Sequence, residues 1–342
     1  MNRVKEVNKV FLVTILMYII SGFINSFIYQ ETGSYNFVII VSQVTLILPA
    51  AIYMAWKRMN IAEALRFKGI RISNIVLLVI FAYLISPLMQ LINGLSMIYV
   101  KNNTAEIMTE VTEKNSIFLS LFLIAFIPAV FEEVVYRGLI YNTYRKETVV
   151  GGVLLSGFLF GVMHGNINQF SYAFVMGLIF ALVIEATDSI LSTMIIHLII
   201  NGSSIIMLYV APFLLKLLEG LAGSELYSEA NMAEAIAQAE EQLTVGFLLK
   251  TYGITALVCT ILAFVVYRVI AKNTGRWDYI KGIFKRKEQG ERKSLFTPCL
   301  ILAILLCIAL MVREEIYSAR EGVSSGIENS LILLKNWLYI FR

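Results

Sequence analysis

Two adjacent carboxylates and a guanidinium, Glu132-Glu133-x-x-x-Arg137, interrupt an apolar run that extends from Ile117 to Tyr141. Each charge at the centre of a membrane-crossing helix costs about 2.5–3.5 kcal/mol, so the three need partners and mark a functional site. Glu133 and Arg137 share a helix face, where they can pair. Glu132 points about 100° away and needs other company. The chain has only two histidines, and each lies in another apolar run, in Phe160-x-x-x-His164 and in His197-x-x-x-Asn201. His197 and Asn201, at i and i+4, project from one face. Isolated polar groups in lipid are costly, so the three motifs are expected to converge on one polar site inside a helix bundle.

That set suits hydrolysis of an amide, which needs an activated water and donors for the developing oxyanion. Glu132 is the expected general base, with His164 holding and polarising the water. His197 and Asn201 would donate to the tetrahedral oxygen. Glu133 and Arg137 would form a structural ion pair that fixes the helix and tunes Glu132. Ser156 and Ser192 read as ordinary small residues rather than nucleophiles. Glu132, His164 and His197 could alternatively supply the three protein ligands of a catalytic zinc. The H-E-x-x-H motif is absent, so no obligatory cofactor is expected and zinc stands as the one candidate metal. Two other function classes fit the residues. One is an ion-coupled transporter with a proton relay, although no inverted halves are evident. The other is a non-catalytic membrane scaffold or immunity protein.

The elements that must position these groups are membrane helices. The 342 residues are 58% hydrophobic and 15% charged, with 28 Lys and Arg against 24 Asp and Glu. A soluble domain is about 25% charged. Barrel strands would alternate, and these runs do not. The fold class is therefore all-α and polytopic, a bundle of about eight or nine transmembrane helices with the site inside it. Candidate spans cover 10–29, 37–56, 75–100, 117–141, 149–164, 170–184, 190–210, 245–270 and 295–312, with Pro87 kinking the third. This divides the chain into N-terminal helices (1–116), a catalytic core (117–212), an acidic extramembrane helical insertion (213–246), and C-terminal helices with a basic loop and tail (247–342). The three cysteines lie in apolar runs and suggest no disulfide framework.

Basic residues gather at the N-terminus, after the second span, after the fourth and after the eighth. The positive-inside rule then makes the N-terminus cytoplasmic and, with nine spans, the C-terminus external. This charge pattern speaks for topology and the lipid bilayer, not for nucleic acid. One conflict follows from these boundaries: Glu132 falls in the cytoplasmic half of its span, and His164 near the outer end of its own.

The stretches Glu132-Glu133-Val134-Val135-Tyr136-Arg137-Gly138 and Phe160-Gly161-Val162-Met163-His164, followed by His197-x-x-x-Asn201, resemble the CPBP (Abi) family of intramembrane proteases. That family includes CAAX prenyl endopeptidases related to the eukaryotic Rce enzyme, together with bacterial bacteriocin-processing and self-immunity proteins. The resemblance covers Phe118 to Leu208. It implies peptide-bond cleavage at or within the membrane, with Glu132 and His164 activating water and His197 and Asn201 stabilising the oxyanion. The family has been described both as metal-dependent and as glutamate-type. The implied substrate is a membrane-associated peptide or protein, either a prenylated tail or a leader peptide, in a bacterial-type cell membrane.

Overall fold

Long apolar segments can satisfy their backbone in lipid only as helices or closed barrels. The computed structural model describes residues 3–100, 102–222, 244–283 and 294–323, and these contain helices and no strand. Apart from a single turn at Ile61–Ala64, in chain order they are α1 (Arg3–Thr32), α2 (Tyr35–Trp56), α3 (Ile72–Met97), α4 (Asn103–Lys114), α5 (Ile117–Tyr144), α6 (Val149–Val162), α7 (Ile167–Thr187), α8 (Ile190–Ala222), α9 (Val245–Asn273), α10 (Trp277–Ile283) and α11 (Pro298–Val323). Seven of them, α1, α2, α3, α5, α7, α8 and α9, are long and apolar enough to cross a membrane. Large apolar side chains such as Ile20, Phe27, Ile72, Phe118 and Ile254 point outward, as a polytopic protein solvated by lipid requires.

The count differs from nine for two reasons. α6 has 14 residues, about 21 Å at 1.5 Å per residue, against a hydrocarbon core about 30 Å thick. α11 is apolar only to Val312, and then carries Arg313, Glu314 and Glu315 within the same helix. Other boundaries move as well. The fifth span ends at Val162 rather than at residue 164, and the sixth begins at Ile167. α8 runs through Pro212 to Ala222, so the region expected to open an insertion at 213 begins as a continuation of the span. The acidic residues from 225 to 241 and the amphipathic tail at 331–341 lie outside the described residues. The connection at 101–116 holds α4, started by Asn102, whose side chain accepts from the Ala105 amide. Val111 is its buried contact with the bundle.

One end of the bundle, where α1 begins and α2, α5 and α7 terminate, is tied by polar bonds between distant segments. Asn8, fully buried, donates to the Leu295 carbonyl at 2.9 Å and to Thr297 Oγ1 at 2.9 Å, and accepts from the Tyr144 hydroxyl. Glu185 is also fully buried, and donors from three other segments converge on its carboxylate. Arg66 Nη1 lies at 2.7 Å, Arg145 Nε at 2.6 Å and Nη2 at 2.9 Å, and the Tyr141 and Tyr279 hydroxyls at 3.0 and 2.8 Å. Arg276 Nη2 adds a contact at 3.4 Å. Beside it Asp188, in the left-handed conformation, pairs with Arg66 and Lys68. This cluster was not foreseen, since 185–188 reads in the sequence as a turn.

Removing a buried carboxylate strands the cations it pairs, at a cost of about 3–5 kcal/mol. Glu185→Ala is therefore expected to unfold at a much lower temperature in detergent, measured by a fluorescence melt. Burial alone would raise the Asp188 carboxyl, but Lys68 and Arg66 outweigh it and hold the group below its ordinary value. A depressed native value stabilises above the unfolded value, about 4, and that stabilisation is lost as the pH falls through the native one. Acidification below about pH 4 is thus expected to lower the melting temperature of the wild type more than that of Asp188→Asn.

Candidate active site

The site is built first on α5. Pro128 has no amide hydrogen, so the carbonyl four residues earlier loses its helical partner. That carbonyl, of Ile124, accepts from Asn201 Nδ2 on α8 at 3.1 Å. α5 is π-helical at Leu121–Phe126 and Val134–Tyr141 and α-helical between, at Ile127–Glu133. π segments are rare and are frequent at functional sites. The two carboxylates stand at the junction of the α-helical and second π-helical segments.

Glu133 and Arg137 have at most 1% of their side chains exposed. Arg137 Nε approaches Glu133 Oε2 to 3.3 Å, an ionic contact without hydrogen-bond alignment. Nη1 and Nη2 have no hydrogen-bond partner. Instead the guanidinium lies over the ring of Phe160 at 4.2 Å and that of Phe180 at 5.0 Å, where aromatic faces attract a desolvated cation. The other Glu133 oxygen, Oε1, contacts His197 Nδ1 at 3.1 Å. A carboxylate only accepts, so Nδ1 carries the proton, and His197 Nε2 is left 3.9 Å from Glu132 Oε2. Glu132 Oε1 also accepts from Gln43 Nε2 on α2 at 3.2 Å.

The α6–α7 hairpin delivers His164. Four terminal carbonyls of any helix lack intrahelical partners. Here Leu159 O accepts from the Met163 amide, Gly161 O from the His164 amide and Val162 O from the Gly165 amide. Phe160 O is taken by His164 Nδ1 at 2.8 Å. The imidazole therefore caps its own helix with Nδ1–H and keeps Nε2 as a lone-pair nitrogen. Gly165 turns the chain at φ +72°, a region that glycine enters without strain. α6 and α7 approach backbone to backbone, so a Cβ on Gly177 would sit 2.7 Å from Gly157 Cα. The short helix also removes the conflict over depth. Glu132 lies about 18 Å from the end of α5, and His164 about 22 Å from the start of α6, measured from the same end of the bundle.

Glu132, His164, His197 and Asn201 line one cavity of 280 Å³, together with Gln43, Tyr136 and Tyr172. Glu133 and Arg137 lie behind its wall. Glu132 and His164 make no direct bond, which leaves the space between them to a water or a substrate. Asn201 does not bring a free amide, since one Nδ2 hydrogen is committed to Ile124. Glu132, His164 and His197 do not close into a metal-holding group, and no cluster of three His, Cys, Asp or Glu side chains does so among the described residues. Held at these positions, the three side chains do not form a zinc site.

Two residues of the site were missed in the sequence. Gln43 is the only glutamine in the apolar run of α2, a signal that could have been used. Tyr136 follows Glu132 by four residues and so shares its face. Its hydroxyl is buried without a partner.

Residues 114–203 match the family model Rce1-like, described as type II CAAX prenyl endopeptidase Rce1-like. The match contains Glu132, Glu133, Arg137, His164, His197 and Asn201, and excludes α1, α2 and Gln43. No curated protein and no solved structure matches the chain.

Because the Gly157–Gly177 contact holds His164 in place, Gly177→Val is expected to destabilise the protein by about 1–3 kcal/mol through overpacking. Gly202→Ala meets only ordinary contacts, at 3.6 and 3.9 Å, and should melt like the wild type. Parallel thermal melts of the two variants check this.

Proposed function

We propose, for a chain whose residues 114–203 match the Rce1-like family model, type II CAAX prenyl endopeptidase Rce1-like, that it is an intramembrane endopeptidase working by a carboxylate-activated water. The observation that carries this reading is the shared cavity: Glu132, His164, His197 and Asn201 all border it, inside the bundle. Glu132 takes a proton from a water held between it and His164 Nε2. The water oxygen bonds to the scissile carbonyl carbon. His197 donates Nδ1–H to Glu133, and its oxyanion role requires a proton on Nε2, which it would donate to the tetrahedral oxygen. Asn201 offers its second Nδ2 hydrogen. The carbon–nitrogen bond then breaks, and the proton on Glu132 passes to the leaving amine. Glu133, buried between Arg137 and His197, positions the imidazole.

The substrate is a membrane-associated peptide or protein segment, of the CAAX-tail or leader-peptide kind. The positive-inside rule supports setting the basic end, with Arg3, Lys5, Lys57, Arg58, Lys68, Arg71 and Lys272, at the cytoplasmic face of a bacterial-type membrane. The opposite end, around Glu31, Glu110 and Glu113, then faces outward.

Purified protein is expected to cleave a fluorogenic peptide that carries a farnesylated cysteine three residues from its C-terminus, and Glu132→Gln should abolish this. Undiminished cleavage by Glu132→Gln would overturn the reading. Tyr136→Phe deletes a hydroxyl that bonds nothing in the resting protein, so its melting temperature should hold. Its kcat should hold as well, since the sealed hydroxyl does not open into the cavity.

A further inference from the structure

The basic end of the bundle carries a surface groove of 390 Å³, lined by Arg268, Lys272, Gly275, Trp277, Asp278 and Lys281. It lies where α9 ends and the chain turns into α10. That turn is pinned from its inner side. Arg276 Nε donates to the Glu185 carbonyl, Thr274 Oγ1 to the Ala186 carbonyl at 2.6 Å, and the Tyr279 hydroxyl to the Glu185 carboxylate at 2.8 Å. Gly275 lets the chain reverse, at φ +70°. The shape of the groove is therefore set by the cluster around Glu185, whatever the groove holds.

Its charges do not balance. Lys281 Nζ pairs with Asp278 Oδ1 at 2.6 Å. The side chains of Arg268 and Lys272 donate to no group among the described residues, and the Arg268 guanidinium lies over the Trp277 ring at 5.6 Å. The ring attracts the cation but offers no lone pair in its plane, so the N–H donors remain open. Three cations thus face one carboxylate. Arg268 also lies about 7.5 Å short of the end of α9 at Asn273.

Toward the middle of the membrane the outward face of α9 is apolar. Ile254, Leu257, Ile261 and Val265 recur every three or four residues and are each at least half exposed. The same row continues to Arg268 and Lys272, both exposed. Phe264 meets the Trp277 ring edge-on at 6.3 Å. Tryptophan favours the layer between hydrocarbon and headgroups. The row is apolar where acyl chains lie and cationic where phosphates lie.

We propose that this groove binds the phosphodiester of an anionic phospholipid, with Arg268, Lys272 and Lys281 around the phosphate and an acyl chain along the apolar row of α9. A guanidinium fork and ammonium groups suit phosphate oxygens. The excess of cations selects phosphatidylglycerol, which is net negative, over phosphatidylcholine, whose quaternary ammonium they repel. By bridging α9 and α10 the lipid braces the turn that carries Arg276 and Tyr279 to Glu185. The groove lies outside residues 114–203 and does not depend on the hydrolase reading.

The purified chain in detergent is titrated with dioleoyl phosphatidylglycerol or dioleoyl phosphatidylcholine, and bound lipid is read by native mass spectrometry. Phosphatidylglycerol is expected to bind the more tightly and to raise the melting temperature further. Arg268→Gln/Lys272→Gln should weaken its binding about fivefold for each cation removed, the scale of one basic residue at an anionic surface. Lys5→Gln/Lys9→Gln removes as much charge from the same end, outside the groove, and should leave the affinity unchanged. Asp278→Asn frees Lys281 and should tighten phosphatidylglycerol binding, a gain that no folding defect imitates. Dihexanoyl phosphatidylglycerol, too short to follow α9, should bind more weakly than the dioleoyl lipid, and inorganic phosphate should not displace the dioleoyl lipid. Equal binding of the two dioleoyl lipids, an equal loss in Lys5→Gln/Lys9→Gln, or no gain in Asp278→Asn would each overturn the proposal. Displacement by inorganic phosphate would overturn it in favour of a soluble anion.

Discussion

A carboxylate and a guanidinium sealed from water govern how the centre of this bundle is arranged. Glu133 and Arg137 can both stay charged only if each charge finds a partner in a medium that screens little. One carboxylate does not satisfy a guanidinium, which has five N–H donors. The rings of Phe160 and Phe180 supply the remainder, and they come from the two helices of the α6–α7 hairpin. Holding Arg137 thus draws the hairpin against α5. The residue that faces the cation, Phe160, is also the one whose carbonyl holds the His164 ring. Charge burial and placement of the imidazole are one packing event.

The same economy holds for the backbone. Pro128 frees a carbonyl on α5, and Asn201 takes it up, which fixes α8 at the height where His197 reaches both carboxylates. Helix breaking on one element is answered by a side chain on another. Lipid offers no water to do it instead. The polar bonds then sort into two groups: a closed one around Glu185, where nearly every donor meets an acceptor, and an open one around Glu132, where several do not.

Much of this could be read from residue types. The charged run on α5 and the two histidine motifs identify the elements of the site, and apolar run length gives most of the helices. Helix ends were harder. The apolar run at 149–164 has no polar break, so its early stop at Val162 depends on carbonyl satisfaction and on the backbone angle at Gly165, neither of which hydropathy records. Glu185 looked like turn material because its partners Arg66, Arg145 and Arg276 lie 119, 40 and 91 positions away. Gln43 is one amide among apolar neighbours, with no periodicity to flag it.

The truncated length of α6 has a bearing on the surrounding lipid. A helix about 9 Å shorter than the hydrocarbon core leaves a depression above its tip that neighbouring segments and solvent must fill. The proposed hydrolysis would consume water, and such a dent would shorten the distance that water travels to reach the carboxylate. Acyl-chain length then becomes a control variable for the chemistry: thicker bilayers would bury the depression deeper, and thinner ones would bring it toward the headgroups.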